Sequence, residues 1–247
     1  MTARAKLVIA YDGTEFRGYA VQPEVRTVEG VLTEAIEKVL HGPVEGLACA
    51  GRTDAGVHAW GQVVSFDADP EVDLDRLQAS LNGMLGPEVV VREATLADAS
   101  FDARRSARWR TYTYGVVNRP VPDPFLARYA WWVPDEIDLA ALRLGADPFV
   151  GEHDFAAFCR KGPEGSTTVR RVLASRWVAV GDDVLRYEIT ATAFCWQMVR
   201  SIVGTLVDVG TGRFRPGELM RIIRSCDRQH AGRLAPPAGL CLWEVGY

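Results

Sequence analysis

Apolar residues in this chain switch between a spacing of two and a spacing of three to four, and they do so in a similar order in both halves. That switching restricts the fold more than any other feature, because it dictates which segments can bury a strand face and which a helix stripe. Lys6 to Tyr11 reads as a first strand ended by the turn signal Asp12-Gly13. Thr27 caps a helix whose Val28, Val31, Leu32, Ala35, Ile36, Val39 and Leu40 form one stripe, ended near His41-Gly42-Pro43. Strands are expected at Val44 to Cys49 and Val63 to Phe66, a helix at Asp73 to Leu85, and a strand at Val89 to Ala94.

The second half repeats the alternation. A strand through Arg110 to Tyr114 places Tyr112, Tyr114 and Val116 on one face and Thr111, Thr113 and Val117 on the other. Asn118 to Pro134 reads as a loop anchored by Phe125, Trp131 and Trp132, followed by a helix capped by Asp138 with Leu139, Leu142 and Phe149. In Gly151 to Phe158, the neighbours His153 and Asp154 read as a local cap or turn rather than an acid/base pair. Val172 to Val180 and Val184 to Ala193 form a hairpin over Gly181-Asp182, with Leu185, Tyr187, Ile189 and Ala191 sharing a face. Val199, Ile202, Val203 and Leu206 mark a helix stripe, Pro216 opens a last helix with Leu219, Ile222 and Ile223, and a strand runs to Val245. The expected fold is α+β: an N-terminal lobe over 1–115 carrying a glycine-bounded loop and a C-terminal lobe over 116–247, sharing an extended mixed sheet.

That loop, Ala50-Gly51-Arg52-Thr53-Asp54-Ala55-Gly56-Val57-His58-Ala59, followed by Trp60-Gly61-Gln62-Val63-Val64, holds one carboxylate between glycine bends. Glycines permit bends and close ligand approach that a Cβ would forbid. Asp54, with the Arg52 cation nearby, reads as a nucleophile, a general base, a metal ligand, or an Asx-turn residue with a surface salt bridge. An arginine in the first turns of an apolar helix is costly unless it meets an anion, so Arg200 needs such a partner.

Composition narrows the partners. The 247 residues include no apolar run near the roughly 20 that span a bilayer, and the N-terminus lacks a signal-like apolar stretch, so a cytoplasmic location is expected. Cys49, Cys159, Cys195, Cys226 and Cys241 are odd in number and scattered, which reads as small buried thiols with neither a zinc site nor a disulfide framework. The net charge of −4 argues against a protein coated in basic surface. Arginines nevertheless gather at 104, 105, 108 and 110, with Arg119 and Arg128 following and further basic pairs at 160/161, 170/171 and 213/215. One basic face and plain solvation of exposed loops both fit that distribution. A tyrosine beside such a cluster suits base stacking combined with phosphate contact.

The string Gly-Arg-Thr-Asp-Ala-Gly-Val-His-Ala with Gly-Gln-Val-Val resembles the signature of the TruA-type tRNA pseudouridine synthases. Tyr11-Asp12-Gly13-Thr14, Arg110-Thr111-Tyr112-Thr113-Tyr114, Gly151 to Phe158, Met198-Val199-Arg200 and Pro236-Pro237-Ala238-Gly239-Leu240 resemble further blocks of that family, so the likeness runs over nearly the whole chain. It implies the pseudouridine synthase fold, with two ferredoxin-like lobes, a mainly antiparallel mixed sheet and helices on one face. It also implies that Asp54 is the catalytic group, that Arg200 is its charge partner, and that Tyr112 stacks on the uracil and helps remove the C5 proton. Arg52 is then a candidate for stabilising a flipped nucleotide, and Arg104 and Arg110 for binding flanking phosphates.

The implied activity is an isomerase's: uridine to pseudouridine at positions 38 to 40 of the tRNA anticodon arm, by a homodimer, without cofactor or metal. Departures from the family pattern fall at Tyr19, Trp60, Ser65, Trp196 and Gln197, the last four expected to flank the pocket. They leave open a relative that acts on another RNA or on a small uridine nucleotide, and a non-catalytic RNA-binding protein. A retaining glycoside hydrolase would need a second carboxylate about 5 Å from Asp54, which no motif marks.

Overall fold

The computed structural model describes residues 3–162, 165–181 and 183–247, so Asp182 of the expected hairpin turn lies outside the described residues. By contacts the chain forms two compact units: one ends at Arg108 and regains Cys241–Tyr247, and the other is Trp109–Leu240. This differs from a division at 115/116. Strand β5 starts at Trp109, so a cut at 115 would fall inside it, and the last strand leaves the second unit to join the first.

In the first unit, β1 (Ala3–Tyr11) buries Ala5, Leu7, Ile9 and Tyr11 in strict alternation. Helix α1 (Val28–Leu40) begins where the Thr27 side chain accepts the Gly30 N–H, and it buries Val28, Leu32, Ala35 and Ile36. β2 (Ala48–Cys49) precedes the glycine loop and β3 (His58–Ala68) follows it. Asp73 caps α2 (Leu74–Leu85), which packs on β4 (Val89–Ala97). β1 pairs antiparallel with both β3 and β4, and β2 pairs antiparallel with β3. The final strand of the chain, Leu240–Gly246, lies parallel to β3 with Cys241 opposite His58.

The strand expected over Val44 to Cys49 is therefore only its last two residues. Gly46 adopts a left-handed φ of 62°, and its carbonyl accepts a hydrogen bond from Arg4 Nη2 at 2.8 Å, so the backbone there faces a side chain instead of a strand.

The second unit holds β5 (Trp109–Asn118), β6 (Trp131–Val133), α3 (Leu139–Ala146), β7 (Gly151–Asp154), β8 (Val169–Ala179), β9 (Val184–Ala191), α4 (Met198–Gly210) and α5 (Leu219–Ser225). β9 pairs antiparallel with β5 and β8, β7 pairs antiparallel with β8, and β6 lies parallel to β5. Leu185, Tyr187, Ile189 and Ala191 are buried along one face of β9. α4 is more than a striped helix: every residue of it except Arg200 is buried. A helix buried all round is a core helix, with neighbours on every side. The final strand, β10 (Leu240–Gly246), completes the chain.

Two other expectations are corrected. Phe125 is no anchor: it is 87% exposed, at a turn where Asp123 Oδ1 accepts the Phe125 and Leu126 N–H groups. Cys159 and Cys195 form a disulfide, with Cα atoms 5.8 Å apart, across a separation of 36 residues that gives no hint of proximity. The backbone brings the two segments together, Arg160 N donating to Trp196 O at 2.9 Å. Of the other three cysteines, only Cys49 is buried; Cys241 is half-buried and Cys226 exposed.

Replacing Thr27 with Ala removes the cap of a helix that supplies much of the first unit's core. The loss expected from denaturant unfolding is about 1 kcal/mol with an unchanged slope. An unchanged midpoint would show that packing alone fixes the start of α1.

Candidate active site

Asp54 is held out by a loop whose backbone is tied on both sides. Wholly buried Gln62 donates from Nε2 to Gly51 O at 2.6 Å and accepts the Gly51 N–H at 3.3 Å, so one amide closes a two-bond ring on the start of the loop. Thr53 is buried, its Oγ1 2.7 Å from the Tyr11 hydroxyl and its carbonyl accepting the Tyr19 N–H at 3.0 Å. The Val57 N–H returns to Asp54 O at 3.1 Å, and the Gly56 N–H reaches Phe16 O at 3.3 Å. With its neighbours on both sides fixed this way, the half-buried Asp54 side chain is set by a rigid backbone.

The segment that grips this loop is the Tyr11 to Tyr19 turn. Gly13 N donates to His58 Nδ1 at 3.1 Å, and Thr14 N and Oγ1 both donate to Asp12 Oδ1. Gly13 lies directly against the loop: a Cβ there would sit 2.0 Å from Val57 O. Tyr19, one of the departures from the family pattern, is fully buried, and burial pushes its hydroxyl well above the ordinary tyrosine range. Its role here is in the core beside the loop.

Arg52 and Arg104 are exposed on the same unit. Burial pushes the Cys49 thiol up to about 11, and the cations of Arg52 and Arg104 both act to lower it. Arg104 is presented by a turn in which Asp102 Oδ1 accepts the N–H groups of Arg104 and Arg105 at 2.9 and 2.7 Å. Burial acts to raise the Asp102 carboxyl, but those two N–H groups together with the Arg105 and Arg4 cations hold the group below the usual carboxylate range.

Tyr112, Arg110 and Arg200 belong to the second unit. Tyr112 sits on β5 opposite Ile189, 9% exposed, with its ring in a T-shaped contact with Phe194 at 5.0 Å between centroids. Arg110 is half-buried at the start of β5, Nη1 donating to Thr192 O at 3.0 Å. Arg200 is half-buried one turn into α4, and its Nε donates to Ala235 O at 2.8 Å. Asp54 and Arg200 thus lie on different units, each on backbone fixed by its own surroundings.

Of the departures, Ser65 is the one the structure moves furthest from chemistry. It is completely buried, its Oγ accepting from Arg4 Nη2 at 3.0 Å and from the Ala103 N–H at 3.0 Å, so it pins the basic segment to β3. Trp60 is 46% exposed, stacked on Trp243 at 5.9 Å with the Arg92 guanidinium 4.1 Å from its ring centroid. Trp196 is exposed, with the Arg160 guanidinium over its ring, and Gln197 adopts a left-handed φ of 62° at the start of α4. Among the described residues, no group of three His, Cys, Asp or Glu side chains is placed to hold a metal ion. Sequence reasoning passed over Gln62, Phe194 and Ala235 as site residues. The signal for Gln62 was present, since a glutamine inside the β-branched run of β3 is a buried amide that needs partners.

A family model described as tRNA pseudouridine synthase matches residues 146–247. Among curated relatives, the tRNA pseudouridine synthase A of Leifsonia xyli subsp. xyli is 44% identical, covering 99% of this chain and 91% of its own length. That of Brevibacillus brevis is 41% identical over 99% of both chains, and that of Pseudothermotoga lettingae 37% identical over 99% of both.

The close approach at Gly13 is testable by stability alone. Gly13→Ala forces its methyl against a backbone carbonyl and is expected to cost about 1–3 kcal/mol. Gly42→Ala, where a Cβ meets nothing within 4 Å, is expected to stay within about 0.5 kcal/mol of the native value. Equal stabilities for the two variants would mean that the turn does not grip the loop.

Proposed function

We infer that this chain, which belongs to the tRNA pseudouridine synthase family, isomerises uridine to pseudouridine in tRNA with Asp54 as the group that acts on the sugar. The observation that supports this best is identity of 37–44% to tRNA pseudouridine synthases A along 99% of the chain. The reaction breaks the N1–C1′ bond, turns the uracil over and joins C1′ to C5, with the C5 proton lost and N1 protonated. No group is added and no electrons are exchanged, so side chains suffice.

Asp54 stands beside the sugar and either forms an ester at C1′ or removes the 2′-proton. Arg200 is its charge partner and orients the carboxylate. Tyr112, held by β5 and by the Phe194 ring, stacks on the uracil as it turns and helps to take the C5 proton. Unstacking the nucleotide costs a few kcal/mol; Arg52 stabilises the flipped form, while Arg104 and Arg110 hold the flanking phosphates. The substrate segment is the anticodon arm, positions 38 to 40. The working form is a cytoplasmic homodimer, in which two basic patches line one groove despite the net charge of −4.

Tritium release from C5-labelled uridine in tRNA reads the reaction directly. Asp54→Asn is expected to lower release by about a thousandfold or more, with tRNA affinity changed only a few-fold. Release by this variant at the native rate would remove Asp54 from the chemistry.

A further inference from the structure

The segment 232–236 has no regular secondary structure, yet it is bonded along its length to α4 and β5. Gly232 N donates to Thr205 Oγ1 at 2.9 Å, and that hydroxyl donates to Ser201 O at 2.8 Å. Arg233 N donates to Asp208 Oδ2 at 3.1 Å, and Arg233 Nε lies 2.8 Å from Oδ1. Ala235 N donates to Arg200 O at 3.1 Å, and Arg200 Nε returns the bond to Ala235 O. At the far end the Tyr114 hydroxyl donates to Pro236 O at 2.8 Å. The strap lies so close to α4 that a Cβ on Gly204 would sit 1.7 Å from Arg233 O.

The Asp208 carboxylate is the unexpected member. It is 0% exposed on a helix that is otherwise core, and burying a carboxylate is costly unless it is paired. Its partners are Arg233 and, at 3.7 Å, Arg213 Nη1, both partly exposed. Asp208 is eight residues along the helix from Arg200, roughly 12 Å at 1.5 Å per residue, so it does not itself meet Arg200. What it holds is the strap end nearest to it. Tyr114 holds the other end, and burial keeps its proton in place as the donor, with the Arg200 cation opposing.

Between those anchors the strap presents one carbonyl, Ala235 O, to the Nε–H of Arg200. Fixing Nε fixes the plane of a guanidinium, and with it the direction of the two Nη groups that can pair with a carboxylate. We propose that Asp208 and Tyr114 are positioning residues for Arg200, anchoring the 232–236 strap whose Ala235 carbonyl sets the guanidinium plane. The proposal rests on the reading of Arg200 as the charge partner of Asp54. It also gives the Ala235-Pro236 stretch, at the start of the Pro-Pro-Ala-Gly-Leu block, a task in the chemistry.

A double-mutant comparison tests it. Single-turnover C5 release, tRNA affinity and melting temperature are measured for the native chain, Asp208→Asn, Tyr114→Phe and Arg200→Lys, and for each anchor variant combined with Arg200→Lys. Each anchor variant is expected to slow turnover on the order of tenfold to a hundredfold, as a misoriented group does, with tRNA affinity within about twofold. In the Arg200→Lys background, which lacks the Nε–H, neither anchor variant is expected to slow turnover further. Equal losses in both backgrounds would make the anchors merely structural and overturn the proposal while leaving Arg200 in its role. Native turnover by Arg200→Lys would instead overturn the reading of Arg200, and the proposal with it. If Asp208→Asn does not fold, Tyr114→Phe decides by the same comparison.

Discussion

The glycine loop that presents Asp54 depends on one buried amide. Gln62 has no contact with solvent, and a buried amide must spend its donor and acceptor on partners or cost the fold the full desolvation of both. It spends them on the N–H and C=O of Gly51. That bond pair makes the first residue of the loop an extension of β3, and everything from Arg52 to Val57 then hangs between two fixed points. The Tyr11 to Tyr19 turn closes the loop from the other side through Thr53, Gly56 and His58. A carboxylate placed on such backbone loses little orientational freedom when substrate arrives, which is the condition for positional catalysis.

The second unit solves a related problem with a helix. Arg200 is the one residue of α4 left partly open, surrounded in sequence by side chains that the core absorbs. The strap at 232–236, itself held by Tyr114 of β5, gives the Arg200 side chain a main-chain carbonyl, Ala235 O, as an acceptor. Fixed donors aimed in advance are worth more in chemistry than mobile ones, since no reorganisation is needed during the reaction.

Much of this was legible in the sequence, for reasons that differ by element. Thr27, Asp73 and Asp138 each sit just before an apolar stripe, and each caps the helix expected of it, because capping is decided within four residues. Asp154 likewise makes the local turn expected of it, accepting the Ala156 N–H. What local spacing could not reveal was set by distant partners. Arg4 draws Gly46 out of a strand, Ser65 is claimed by Arg4 and Ala103, and Cys159 meets Cys195 through a backbone bond at Arg160. Ser65 is instructive: as a departure from a family pattern it suggested altered substrate choice, whereas its burial makes it a joint between β3 and the basic segment. The glycine loop was legible as a presentation device, but the residues that make it rigid lie 11 to 45 positions away from one another in the hydrogen-bond pairs that matter most, Gln62 with Gly51, Tyr11 with Thr53 and Gly13 with His58.

The most direct measurement is a nucleotide-resolution map of pseudouridine on unmodified tRNA transcripts incubated with the native protein alone. The account predicts new pseudouridine confined to the anticodon arm, at positions 38 to 40. No pseudouridine in any tRNA treated with folded protein would contradict it.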